Sequence, residues 1–179
     1  MQSQDLLHFW FEDIDQRMWF QKDDQFDEML TTRYGSWVEA ASKGELAHWR
    51  SGIQGRLAEI ILLDQFSRNM FRDTAKAFAN DGMALALSQE AIRTGQVRQL
   101  SAIECSFLYM PFMHSESAVI HHQAVSLFSA LNLPDTLAYE LKHQAIIERF
   151  GRYPHRNAAL GRESTPEEIT FLAQPGSRF

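Results

Sequence analysis

Between Arg149 and Arg162 the chain carries four arginines and a histidine with no acidic residue, in a protein whose formal net charge is -6. Guanidinium groups gathered against the overall charge need partners, either carboxylates elsewhere in the fold or an anionic ligand. The stretch Phe150-Gly151-Arg152-Tyr153-Pro154-His155-Arg156-Asn157 reads as a helix end at Gly151 followed by a turn stiffened by Pro154. Such a loop serves either as a latch, with Arg152, His155, Arg156 and Asn157 satisfying helix ends and buried carboxylates, or as an anion clamp. The residues leave both readings open.

A second cluster is Asp64-Gln65-Phe66-Ser67-Arg68-Asn69-Met70-Phe71-Arg72. Asp64, Arg68 and Arg72 follow at four-residue steps, so they share one helix face with Leu57, Ile60 and Ile61. Charges that continue an apolar stripe are partly desolvated, and unpaired each would cost on the order of several kcal/mol. They are therefore expected to be paired. Either Asp64 bridges Arg68 while Arg72 holds a helix C-terminus, or Arg68, Asn69 and Arg72 form one wall of an anion site.

In Tyr109-Met110-Pro111-Phe112-Met113-His114-Ser115-Glu116, His114 falls at the joint between two helices, with Ser115 as the expected cap and Glu116 in the first turn. A helix N-terminus disfavours an imidazolium, so His114 is expected to be neutral unless Glu116 offsets the effect. A neutral imidazole beside a carboxylate is a base, and the alternative is a histidine that hydrogen-bonds a helix end. His121 and His122 share a helix with Ala118, Val125 and Phe128, which predicts packing roles, one toward the core and one toward water. His143 lies on a stripe with Tyr139, Ile146 and Phe150 that leads into the arginine segment. The acid–base candidates are thus His114, His143 and His155, oriented by Asp64 or Glu116. The ligand-binding candidates are Arg68, Asn69, Arg72, Arg152, Arg156 and Asn157.

The chain lacks a His-x-x-x-His pair and a second cysteine, so no metal or cofactor is expected. It also lacks a Gly-x-Ser-x-Gly elbow and a phosphate-binding glycine loop, and Cys105 has no activating charge beside it.

These side chains must be positioned by helices, since no stretch alternates as a strand would and the Asp81-Gly82 pair opens a helical pattern. Ser3 is expected to cap a first helix through Phe11, and a second covers 23–42, with a short one over 44–50. The most apolar segment, 55–71, is the candidate central helix. Asn80 or Asp81 caps the next, which stops at Gly95, and another runs from Ser101 to Pro111. Ser115 caps a helix through Leu131, Pro134 opens one that ends at Gly151, and Thr165-Pro166-Glu167-Glu168 is a capping box for a last helix to about Ala173. The tail from Gln174 to Phe179 is expected to fray. Short connections predict antiparallel helical hairpins in one all-α domain over 1–179, stacked as a superhelix or a layered bundle.

With 179 residues, of which 45% are hydrophobic, the chain is long enough for one sizeable core. Arginine outnumbers lysine 13 to 4, which favours internal multidentate networks over surface solvation. All four tryptophans lie in the first 50 residues and are expected to pin the N-terminal helices to the rest. The acidic balance and the lack of a Lys/Arg-rich run argue against nucleic-acid binding. The N-terminus shows no basic region leading into an apolar stretch, and the run 107–113 is too short for a bilayer, so a cytoplasmic protein without membrane partners is expected.

Taken together, the blocks Phe9-Trp10-Phe11, Leu63 to Arg72, Ala77-Phe78-Ala79 with Asp81, Tyr109 to Glu116, and Phe150 to Asn157 followed by Gly161-Arg162 resemble the bacterial family called domain of unknown function 924. The resemblance covers nearly the whole chain. It implies an all-helical, tetratricopeptide-like fold and tips the architecture toward a superhelix, while implying no activity. Ser67 stands where the family's motif is expected to carry proline. Two functions remain in view: a pocket for a small anionic ligand, carrying phosphate or carboxylate, lined by the arginines and histidines with acid–base chemistry, and a protein- or peptide-binding scaffold whose concave surface uses the N-terminal tryptophans.

Overall fold

The computed structural model describes residues 2–177, and all regular structure among them is helical. Helix α1 (Ser3–His8) runs on through a wide π turn, Phe9–Asp13, and a 3-10 turn at Gln16–Trp19 precedes α2 (Asp24–Ser42). The central helix is α3 (Ile53–Ile61), a second π turn (Leu62–Phe66) and α4 (Ser67–Met70) in unbroken succession. After it come α5 (Asp81–Arg93), α6 (Ala102–Met113), α7 (Ala118–Ser129), α8 (Pro134–Phe150) and α9 (Pro166–Leu172).

The central segment is apolar all round because it is covered all round: α1, α5 and α6 pack on α3, and α2 packs on the π turn and α4. Leu57, Ile60, Ile61, Leu62, Leu63 and Phe66 are fully buried there, each contributing roughly 1.5–3 kcal/mol of transfer free energy. Trp10 packs on Phe66 and Phe107 with ring centroids at 5.1 and 5.8 Å, and the Trp19 indole donates to the Trp10 carbonyl at 2.9 Å. Trp37 meets Trp49 edge-on at 5.9 Å. The tryptophans thus tie α1, α2 and the 47–51 turn to the centre. That turn crosses the central helix so closely that a Cβ on Gly55 would lie 1.9 Å from the Trp49 carbonyl oxygen. A smaller cluster of Ile146, Ile147 and Tyr153, with Phe150 and Phe171, anchors the C-terminal segment.

Several helix ends differ from expectation. Gln2, not Ser3, stands at the cap position of α1. Pro111 does not stop α6, which continues to Met113 because every residue from 105 to 113 is buried and tertiary packing outweighs the one lost backbone bond. Ser117 rather than Ser115 precedes α7, which ends two residues before the expected Leu131. Asn80 occupies the cap position of α5 but gives its amide to Ser67. The short 44–50 helix is a 3-10 turn at Ala47–Ser51. The tail folds back, with Ser177 buried and its hydroxyl on the Leu172 carbonyl at 3.1 Å; the expectation of fraying at Arg178 and Phe179 lies outside the described residues. The capping boxes at Ser101–Glu104 and Thr165–Glu168 and the left-handed stop at Gly151 (φ 69°) are formed.

Among the described residues, no helix is long and apolar enough to cross a membrane, and no group of three or more His, Cys, Asp or Glu side chains is placed to hold a metal ion.

Candidate functional site

The turn from α6 to α7 sets His114 against the π turn of the central helix. Nδ1 of His114 lies 2.8 Å from Oδ1 of Asp64, whose side chain is 1% exposed. A π turn widens the helix and frees main-chain groups for other partners. Here the Asp64 carbonyl accepts from Nη1 of Arg68 at 3.0 Å, while the carboxylate accepts from the Gln65 amide and pairs with Arg68 at 3.0 Å. Burial alone would raise the Asp64 carboxyl, but Arg68, His114 and Gln65 together hold it well below the usual carboxylate range. An ionised carboxylate only accepts, so Nδ1 of His114 carries the hydrogen and Nε2 carries the lone pair. Burial and then Arg68 push the imidazole below its ordinary value, which keeps it neutral near pH 7.

That neutrality does not come from a helix N-terminus. His114 caps the C-terminal end of α6, where the dipole favours a cation, and desolvation overrides it. Nor is Glu116 its partner: both Glu116 oxygens are taken by Arg162, at 2.7 and 2.9 Å, and one also accepts the Tyr153 N–H at 2.7 Å. Although burial opposes it, these donors hold the Glu116 carboxyl below its ordinary value.

Arg68 reaches on to Asp81 with two bonds of 3.0 Å, and Arg156 reaches the same carboxylate from the 150–157 loop at 3.1 Å. The 64–72 face and that loop therefore meet at one residue. The Arg156 guanidinium lies 4.7 Å from the Phe78 ring centroid and 4.5 Å from that of Tyr153. Three consecutive carbonyls of the turn are each held by a buried side chain. Tyr153 donates its hydroxyl to Met113 at 2.5 Å, Arg156 donates to His114 at 3.0 Å, and His121 Nε2 donates to Ser115 at 2.9 Å. The backbone that carries the His114 ring is thereby fixed from three sides.

Beside this turn opens a cleft of about 270 Å³ lined by Phe78, Asp81, Gly82, Leu85, Pro111, His114, Ser115, Glu116, Arg156 and Leu160. Since Asp64 occupies Nδ1, Nε2 is the nitrogen of His114 available to an occupant. A larger cleft of about 400 Å³ lies among residues 2–4, 48–55 and Gln99, away from every candidate residue, and has no titratable pair comparable to Asp64 and His114.

The remaining candidates lie around this centre rather than in it. Arg72 and Asn69 both bind Asp27 of α2, the amide at 2.7 Å. Arg152 binds Glu168 with bonds of 2.6 and 2.8 Å, and Asn157 reaches the same carboxylate at 3.3 Å. His143 is buried behind the dyad with its ring 6.4 Å from that of His114, and its Nδ1 donates to the Tyr139 carbonyl at 2.8 Å. Burial pushes His143 down to about 3, and burial with Arg156 and Arg68 pushes His155 down to about 4. His155 packs beside Tyr153 at 5.5 Å. As expected, His121 is buried and His122 exposed, but His121 does more than pack.

A family model described as a bacterial protein of unknown function (DUF924) matches residues 6–176. The chain belongs to that family. Among solved structures it is similar to the Protein of Unknown Function ATU0120 from Agrobacterium tumefaciens, with 39% sequence identity, 96% of each chain covered and a TM-score of 0.90. No curated protein matches the chain. Four of the blocks that carry the family resemblance supply Asp64 and Arg68, which lie behind the cleft, and Asp81, His114 and Arg156, which line it.

Two residues of this centre had little signal in the sequence. Asp81 reads as a helix start, and only its place after Ala77-Phe78-Ala79 marks it; nothing local tells that two arginines converge on it. Tyr153 sits within the arginine segment, where a lone aromatic between a glycine stop and a proline is the only hint of a buried anchor.

Proposed function

We propose that the cleft binds a small anionic ligand and that His114 exchanges a proton with it at Nε2, with Asp64 holding the ring and stabilising the imidazolium that forms. The observation that carries this reading is the dyad itself: a carboxylate that is 1% exposed faces a histidine whose side chain is 15% exposed and lines the cleft. Arrangements of this kind match a neutral base to its task by burial and fix its tautomer by a hydrogen-bonded carboxylate. A π turn at the residue that orients the base supports the reading, since such turns are frequent at functional sites.

Arg156 lines the cleft beside His114 and holds the turn that carries it. Its Nη atoms are engaged by Asp81 and the His114 carbonyl, while its Nε is buried with no partner in the protein. Arg68, Arg72 and Arg152 act as struts, each with its guanidinium on a protein carboxylate. For the scaffold reading, the aromatic side chains it would present are in the core: Trp10, Trp19 and Trp49 are buried.

The test is a titration of histidine-labelled protein with a panel of small carboxylates and phosphates, followed by nitrogen NMR. The His114 nitrogens should shift with the saturating acid while those of His121 stay in place, and His114→Gln should abolish the calorimetric signal. A panel in which binding is detected but His114 does not move would remove the histidine from the site.

A further inference from the structure

The larger cleft differs from the one at His114 in the chemistry of its lining. It forms where the start of α1, the 47–51 turn and the 3-10 turn at Gln96–Gln99 gather around the start of α3. Four glutamines line it, Gln2, Gln4, Gln54 and Gln99, together with Ser51 and His48. Among the described residues no Asp, Glu, Lys or Arg lines it, although 22% of the chain is charged. Arg50 belongs to the same turn but is directed to Glu59, with bonds of 2.6 and 2.7 Å. The apolar side chains of the lining are Trp49 and Ile53, which are 6% and 2% exposed. They are set before any ligand arrives: the Trp49 N–H donates to the Leu46 carbonyl at 2.8 Å, its ring meets Trp37, and Gly55 lets the turn sit directly on α3.

Donor and acceptor types decide what such a lining suits. A primary amide, a hydroxyl and a neutral imidazole each both donate and accept, which matches a ligand whose own polar groups are hydroxyls. Among the described residues, one hydrogen bond joins side chains of the lining, Ser3 to Gln4 at 3.2 Å. Gln54, Gln99, His48 and Ser51 are exposed and keep their polar atoms for water or an occupant. An ion would enter without a side chain of opposite charge, and its desolvation would go uncompensated. A wholly apolar ligand would cover the amides without pairing them. A sugar meets both demands, since its C–H faces pack on apolar side chains while its hydroxyls pair with amides. The volume, about 400 Å³, equals that of about thirteen liquid waters at roughly 30 Å³ each, room for one or two sugar rings.

We propose that this cleft binds a neutral mono- or disaccharide, with a ring face against Trp49 and Ile53 and hydroxyls on Gln54, Gln99 and His48. The site is separate from the His114 cleft and does not depend on the function proposed for it.

Proton–nitrogen NMR titrations of the whole chain with glucose, galactose, mannose, maltose and sucrose, and with inorganic phosphate and hexanol, test the assignment. At least one sugar should shift the Trp49 indole N–H and the amides of residues 51–55, and bind at least about tenfold tighter than phosphate or hexanol. The double variant Gln54→Ala, Gln99→Ala changes two exposed positions and should weaken that binding at least about tenfold, as the loss of two hydrogen bonds requires. Gly52→Leu, at a lining position where a Cβ would meet nothing within 4 Å, should abolish it, while His114→Gln should leave it unchanged. Tighter binding of phosphate would mean that the start of α3 governs the cleft, and tighter binding of hexanol that Trp49 and Ile53 do; either overturns the class. Sugar shifts that survive both lining variants, or that vanish with His114→Gln, place the binding elsewhere and overturn the site. No shift with any of the sugars up to their solubility removes the proposal altogether.

Discussion

Among the described residues, two carboxylate–imidazole pairs of nearly the same length are buried in the protein, and they differ in what the second ring nitrogen does. In Asp64–His114 the contact is 2.8 Å and the histidine lines a cleft. In Glu140–His121 it is 2.7 Å and both side chains are fully buried. His121 directs Nδ1 to Glu140, and its Nε2 meets the Ser115 carbonyl at 2.9 Å and the Tyr153 hydroxyl at 3.1 Å. A carbonyl only accepts, so Nε2 of His121 carries a hydrogen and that nitrogen has no lone pair to offer. Burial raises the Glu140 carboxyl even against the pull of His121, and one Glu140 oxygen has no partner. The sealed pair holds the 113–115 turn in place, while the open pair keeps an ionised carboxylate and a basic nitrogen at the cleft. A carboxylate and an imidazole give a strut in one place and a candidate base in the other, and the strut holds the Ser115 carbonyl next to His114.

The comparison is broken most directly by removing one partner of each pair. His121→Ala strands a buried carboxyl and frees the Ser115 carbonyl, and Asp64→Ala takes from His114 its carboxylate and from Arg68 one of its two. Each should cost about 3–5 kcal/mol in a urea melt, and a loss below about 1 kcal/mol for Asp64→Ala would mean that this helix face is solvated. A second effect comes from the histidines packed between the pairs. His143 and His155, at about 3 and about 4, lie below the ordinary imidazole value of 6.5, so the unfolded chain takes up their protons first as pH falls. Stability should be full above about pH 6.5 and decline below it by up to about 1.4 kcal/mol per pH unit for each. A melt series from pH 7 to 4.5 checks this, and the double variant His143→Gln, His155→Gln should flatten the slope. Asp64, also depressed, adds its loss only below about pH 4.

Smaller effects sharpen the contrast. Glu140→Gln keeps a neutral hydrogen bond to His121 and should cost about 1 kcal/mol; a loss above about 3 kcal/mol would identify the sealed pair as a full ion pair. His114→Gln should be the mildest, under about 1 kcal/mol in thermal melts, because the amide can keep a hydrogen bond to Asp64.

The fold was legible where local chemistry is strong. The capping boxes at Ser101 and Thr165, Pro134 and the Gly151 stop each act within a few residues, and the apolar cylinder of 55–71 marks its own burial. Legibility failed at Pro111, where tertiary burial overrides a local rule, and at Leu62–Phe66, since a π turn leaves no trace in spacing. For the site, the arginines were visible as a charge anomaly, but their partners were not. Asp27 lies 45 residues before Arg72 and Asp81 lies 75 before Arg156, and only the packing of α2 and α5 on the central helix brings them together. The Glu140–His121 pair was hidden for the same reason, its members standing on opposite helices of the α7–α8 hairpin.

Nitrogen NMR of the histidine rings at pH 7 reads the central claim without any ligand. His114 should show a protonated Nδ1 and an unprotonated Nε2, beside a His121 whose Nε2 is protonated. A His114 that carries hydrogen on Nε2, or on both nitrogens, would contradict the account.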